Sequence, residues 1–284
     1  MHDAYAHCET LVRTADRDRW LAALFAPPQA RPHLHALHAF ASEIARVRAI
    51  AREPLPGEIR LQWWRDVLAG EARGEVSAHP VAAALLDTMA QRGLPRDPLV
   101  AFIDAHAFDL YDDAMADLSD LDGYAERTAG AMFELAAHVL GGADAAGAST
   151  AAAVPAGIAW GVAERLASLP RDVALRQMFV PLEVLAAAGV TRAEVEARGN
   201  SAGVRAALAA MRAHARAACA RFAAAAPGVP ERCAPALLPA TLVPQLLRRL
   251  DAGAADPFRQ VAVPPWRRQW TLWRAARRWP RVRT

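Results

Sequence analysis

Between His33 and Arg52 the chain holds no glycine or proline, and Leu34, Leu37, Ala41 and Ile44 recur at three- and four-residue spacing. That period lays one apolar stripe along a helix and is incompatible with a half-buried strand. His38, Ser42, Ala45 and Ala49 fall on a second face of the same helix, and that face carries no carboxylate. Strand-like alternation is rare elsewhere, so the chain is expected to be all-α. Residues 1–284 read as one helical domain ending in a basic, Trp- and Arg-rich tail over 264–284.

The hydrophobic fraction is 54%, but alanine supplies much of it. The most span-like window, Gly142 to Ala163, is mostly Ala and Gly and contains Ser149, Thr150 and Pro155, so no membrane span is expected there. No basic-then-apolar leader is evident at the N-terminus. Cys8, Cys219 and Cys233 are odd in number and far apart, which points to a reducing compartment without a disulfide framework. The net charge is only +3, yet every basic residue is Arg, and arginines crowd the stretch from Arg267 to Arg283.

The elements follow from periodicity and from Gly and Pro punctuation. Helices are expected over His2–Phe25, Arg31–Arg52, Glu58–Gly70, a segment opened by His79-Pro80-Val81, Pro98–Met115 and Ser119–Leu140. Gly141-Gly142 reads as a stop. Further helices are expected over Ala151–Leu169, broken by Pro170, then Asn200–Ala226, Pro235–Leu250 and Arg267–Arg278.

The order of motifs resembles the squalene/phytoene synthase family. It rests on Arg60-Leu61-Gln62-Trp63-Trp64-Arg65, His79-Pro80-Val81, Tyr124-Ala125-Glu126, Gly157-Ile158-Ala159 and Phe179-Val180-Pro181. The resemblance implies an isoprenoid-synthase-like bundle around a central cavity, in which two carboxylate-bearing helices hold Mg²⁺ on an allylic diphosphate. Mg²⁺ needs octahedral oxygen ligands, so loss of the carboxylates removes the metal and its stabilisation of the departing polyanion.

Here the first wall keeps Phe40, but Ser42 stands where the family has Arg, and Ala45, Arg46 and Ala49 stand where it has Asp. On the second wall Ser168 replaces the first Asp and Asp172 stands at the second, with Pro170 between them. A proline inside a helix costs roughly 3 kcal/mol. It is therefore expected to turn Asp172 off the wall, leaving it facing Arg46 at most. Both Asp-rich motifs are thus degenerate, and no cofactor is expected, Mg²⁺ entering only if the chain is an enzyme. In a third acidic segment, Asp109, Asp113 and Asp117 are spaced to share a helical face, which would suit a metal site; the segment reads first as a solvated helix end followed by a loop, and Asp109-Leu110 matches an Asp-Leu of active relatives. His33, His35 and His38 have no cysteine at metal-ligand spacing.

Within the family, the carboxylate-poor first helix with Phe40, Glu43 and Ala45 resembles the branch containing a mitochondrial complex I assembly factor. The implied role is a non-catalytic scaffold supporting NADH dehydrogenase biogenesis, cytoplasmic and peripheral on the inner membrane, or a binder of an isoprenoid or phospholipid. The alternative is a divergent prenyl transferase condensing isoprenoid diphosphates head to head. Arg46, Arg165, Arg171 and Arg176 are the candidate phosphate residues, because guanidinium suits bidentate phosphate contact; Asp109 and Asp172 are the candidate ligand residues on which the prenyl transferase alternative would draw. Trp266, Trp270 and Trp273 recur at i, i+4, i+7 among Arg267, Arg268, Arg274 and Arg277, which marks a candidate membrane or protein-partner surface. A nucleic acid partner is not expected.

Overall fold

The computed structural model describes residues 1–51 and 53–279; Arg52, the expected end of the second helix, and residues 280–284, which include Arg283, lie outside the described residues. Among the described residues the secondary structure is helical, and the one β-bridge joins Ala114 to Met178. The α-helices are α1 (His2–Ala15), α2 (Arg17–Ala23), α3 (Arg31–Ala45), α4 (Val47–Ile50), α5 (Pro54–Ala69), α6 (Pro80–Arg92), α7 (Arg96–Ala107) and α8 (Leu118–Ala125). They continue with α9 (Ala131–Ala174), α10 (Leu182–Ala187), α11 (Arg192–Glu196), α12 (Ala202–Ala225), α13 (Ala234–Leu237), α14 (Val243–Ala252) and α15 (Pro265–Arg278).

Local chemistry sets several of these boundaries. The expected His2–Phe25 helix is two helices, because the Asp16 carboxylate caps α2 by accepting from the Arg19 backbone N–H at 3.0 Å. Pro54 opens α5 four residues earlier than expected and Gly70, at φ 75°, closes it. The expected helix to Met115 stops at Ala107 and passes through a 3₁₀ turn, Phe108–Leu110, so Asp109, Asp113 and Asp117 share no helical face.

Two departures are tertiary in origin. The Arg31–Arg52 helix ends at Ala45, turns at Arg46 and resumes as α4. No Gly or Pro marks this turn; it accompanies the reach of Arg48 to the Leu175 carbonyl, at 3.0 Å. Pro170 does not end its helix either. α9 runs on to Ala174, and its interruption is instead at Gly142, whose φ of 79° kinks it where the double glycine predicted a stop. The stretch Leu118–Ala174 is long and apolar enough to cross a membrane, and 56% of its most apolar window is buried within the protein.

α9 feeds two apolar cores. Its first half packs Phe133 and Ala136 with Phe40, Leu37 and Leu85; its second half packs Val162 and Ala163 with Leu121, Val204 and Met211. All three cysteines are buried and free. Between α8 and α9 lies a π-helical turn, Glu126–Gly130, and it crosses α9 at Gly157. A Cβ on Gly157 would stand 2.4 Å from the Gly130 backbone, which explains the glycine of the Gly157-Ile158-Ala159 motif. Gly157→Ala is therefore expected to destabilise by about 1–3 kcal/mol, the cost of overpacking, read as a lower urea midpoint at unchanged m-value. An unchanged midpoint would show that the crossing yields freely.

Candidate functional site

The crossing of the π turn over α9 opens one wall of a cavity of about 230 Å³. α3 and α4 supply Ser42, Ala45, Arg46, Arg48 and Ala49; α9 supplies Gly161, Glu164, Arg165 and Arg171. The α7–α8 region closes it with His106, Asp109 and Tyr124, the π turn adds Thr128, and the start of α2 adds Asp16 and Arg19. π-Helical turns recur beside functional sites because they redirect side chains without ending a helix. Here Thr128 and Ala129 of the turn face the cavity, with the Thr128 hydroxyl donating to the Tyr124 carbonyl at 2.7 Å.

Five arginines line this space against three carboxyl groups, Asp16, Asp109 and Glu164. Their engagement differs. Arg19 is tied to Asp16 at 2.9 Å and Arg48 pairs with Asp112 at 3.6 Å. Arg165 lies between Asp172 at 3.5 Å and Glu164 at 3.8 Å, over the Phe179 ring at 4.7 Å. Phe179 of the Phe-Val-Pro motif thus seats a cation. Burial works against the Arg165 charge, but Asp172, Glu164 and Tyr124 outweigh it and hold the guanidinium protonated. Arg171 lies 3.4 Å from Asp172 and remains 61% exposed. Arg46 makes no side-chain hydrogen bond or ion pair among the described residues and is exposed.

One of the three carboxyl groups is closed off. Asp109 is 7% exposed, and both its oxygens accept from the Tyr124 hydroxyl, at 3.0 and 3.2 Å. Burial raises its pKa, with His106 and Arg165 opposing. His106 Nδ1 donates to the Phe102 carbonyl at 2.9 Å, since a carbonyl can only accept. Asp172 is 2% exposed; burial raises its carboxyl pKa, and Arg165 and Arg171 pull it back.

The structure brings together Ser42, Ala45, Arg46, Ala49, Asp109, Arg165 and Arg171 on one cavity. Other expectations are corrected. Asp172 pairs with Arg165 and Arg171, not with Arg46, because α9 continues through Pro170 and carries it inward. Ser168 is not part of the cavity lining. Arg176 sits beyond the end of α9 at φ 58°, 81% exposed, 4.0 Å from Asp112. Sequence reasoning missed Arg19 and Arg48. Asp16 and Arg19 stand three residues apart with opposite charge, the spacing of a local ion pair, a signal that was present. No three His, Cys, Asp or Glu side chains among the described residues converge closely enough to share a metal ion.

On the tail, Trp266, Trp270 and Trp273 are 63%, 53% and 39% exposed, and Arg267, Arg274 and Arg277 are exposed as well. Arg268 is the exception: it turns inward to Asp18 at 2.6 Å and the Val263 carbonyl at 3.1 Å.

A family model described as squalene/phytoene synthase matches residues 12–274 of this arrangement. The chain belongs to the squalene/phytoene synthase family. It is 29% identical over 203 residues to NADH dehydrogenase (ubiquinone) complex I, assembly factor 6, of Rattus norvegicus, a match covering 72% of this chain and 60% of that protein. The chain thus spans about 60% of the length of the curated relatives it matches first. Squalene synthase HpnC from Alicyclobacillus acidocaldarius superposes with a TM-score of 0.72 at 24% identity, covering 90% of this chain and 96% of that one. A dehydrosqualene synthase in complex with ligand superposes with a TM-score of 0.82 at 16% identity, covering 96% and 95%. These superpositions establish the all-α isoprenoid-synthase fold.

Proposed function

We propose that this chain is a non-catalytic member of the squalene/phytoene synthase family that supports assembly of the respiratory NADH dehydrogenase, and that its cavity holds an anionic headgroup on arginines. One observation carries this reading. Ala45, Arg46 and Ala49, at the positions where the family resemblance places aspartates, line the cavity, and Arg46 has no side-chain partner among the described residues. The carboxylates on or beside the cavity do not fit a Mg²⁺ cluster: Asp109 is engaged by Tyr124, Asp16 by Arg19, Glu164 by Trp160 and Arg165, and Asp172 by two arginines, and no three of them converge among the described residues. A divalent ion set among five guanidinium groups is also opposed by their charge. Arginine forks suit phosphate oxygens, so a phosphate-bearing isoprenoid or phospholipid is the chemical class the pocket takes. Similarity to the assembly factor supports the partnership with the NADH dehydrogenase.

A divergent prenyl transferase is the second reading, favoured by the presence of Asp109 on the cavity wall. Deleting the gene separates the two. The first reading expects membrane NADH dehydrogenase activity to fall while carotenoid and hopanoid content is unchanged. Loss of those isoprenoids with intact dehydrogenase activity would support the transferase and remove the assembly role.

A further inference from the structure

Away from the cavity, α15 and the end of α2 enclose a shallow apolar groove of about 670 Å³, walled by Leu24 and Phe25 on one side and Trp266, Trp270 and Trp273 on the other. We propose that this face is a docking surface for an anionic lipid bilayer, with α15 lying in the plane of the interface.

The helix has two opposed faces. At about 100° per residue, Trp266, Trp270, Trp273 and Arg277 fall within about 60° of one another, roughly opposite Arg268, Leu272 and Ala275. The second set faces the protein: Leu272 is 1% exposed and Arg268 is bound by Asp18. α15 is therefore already fastened by its inner face, and the tryptophans are not needed to hold it. Leu24 and Phe25, each 40% exposed, extend the outer apolar surface beyond the helix. Contiguous exposed apolar area of this kind marks a contact surface.

Charge and side-chain type identify the occupant. Arg267, Arg274 and Arg278 fall on one flank, about a quarter turn from the tryptophans. α15 contains no acidic residue, and Asp18 is consumed by Arg268. Arg267 lies over the Trp266 ring at 5.1 Å and Arg277 over Trp273 at 4.7 Å. Trp270 and Trp273 stack with centroids 4.9 Å apart. Tryptophan favours the boundary between headgroups and acyl chains, and a flanking arginine can lie along the apolar surface with its guanidinium at the phosphates. The docking face and the cavity are separate features, and either can fail without the other.

The test is co-sedimentation of the full chain with vesicles of phosphatidylcholine, alone or mixed with phosphatidylglycerol. Binding is expected only to the mixed vesicles. Each surface arginine contributes a factor of about five, so R267Q/R274Q is expected to bind roughly 25-fold more weakly. R73Q/R221Q, with the same loss of charge elsewhere on the surface, is expected to bind as the parent does. W266S/W270S/W273S is expected to lose binding while keeping its circular dichroism and thermal midpoint. Absence of parent binding to the mixed vesicles at low salt would overturn the proposal and leave the face to a protein partner. Equal weakening by the two double variants, or full binding without the tryptophans, would overturn it as well.

Discussion

Arg165→Met is expected to lower the unfolding free energy by about 3–5 kcal/mol, the loss seen when one member of a buried ion pair is removed. Arg165 is the cation against which Asp172 is buried: Asp172 is 2% exposed, its Oδ2 has no hydrogen-bond partner, and Arg165 Nη1 lies 3.5 Å away. Without the guanidinium, Asp172 keeps only Arg171, whose exposed position weakens the interaction. R165M/D172N removes the stranded charge as well, so it is expected to recover most of the loss. The pH dependence carries a sign. Burial already raises the folded-state pKa of Asp172 above its ordinary 3.8, and Arg165 opposes that shift, so R165M raises it further. The folded state then binds the extra proton, so the contribution of Asp172 to stability is greatest below the ordinary carboxylate range and is lost as pH rises through the raised value. Urea unfolding of parent, single and double variants across pH checks both parts. A deficit in R165M that does not shrink on acidification would mean that Asp172 is not the group left uncompensated.

The second large effect concerns the cavity. Pyrophosphate is expected to bind there without any divalent ion, held by Arg46 and Arg171. Both are exposed to the space; Arg46 has no side-chain partner among the described residues, and Arg171 has only Asp172. A hydrogen bond to a charged group contributes about 1.5–3 kcal/mol, so Arg46→Gln is expected to weaken binding about tenfold and R46Q/R171Q about 100-fold. The single variant is the cleaner probe, because Arg46 takes no part in the Arg165–Asp172 pair and its loss leaves stability near the parent's.

Much of this was readable beforehand. Helical periodicity fixed the fold class, and the Gly141-Gly142 signal located the kink in α9, where Gly142 takes a positive φ. The carboxylate-free face of the second helix was legible in part: Ser42, Ala45 and Ala49 do share one cavity wall, whereas His38, one turn earlier, is buried and not on the lining. Local rules failed where tertiary contacts decide. Pro170 forfeits one backbone hydrogen bond, yet α9 is held on both sides of it by apolar packing, including Leu169 and Val173, and continues. The turn at Arg46 has no local signature, because it accompanies a contact of Arg48 with residue 175, far along the chain. For the same reason Arg48 was missed as a cavity residue, although Arg46 beside it was named. The fate of Arg268 was also hidden. Its place in the sequence groups it with the other tail arginines, but only the fold brings Asp18 to it.

The most direct measurement is a calorimetric titration of the protein with pyrophosphate, first in a chelator and then with excess Mg²⁺. An arginine-lined pocket predicts binding in the chelator, lost progressively in R46Q and R46Q/R171Q, with no gain when Mg²⁺ is supplied. Binding that appears only with Mg²⁺ and disappears in D109N or D172N would contradict it, because the carboxylates would then be gathering metal around a diphosphate.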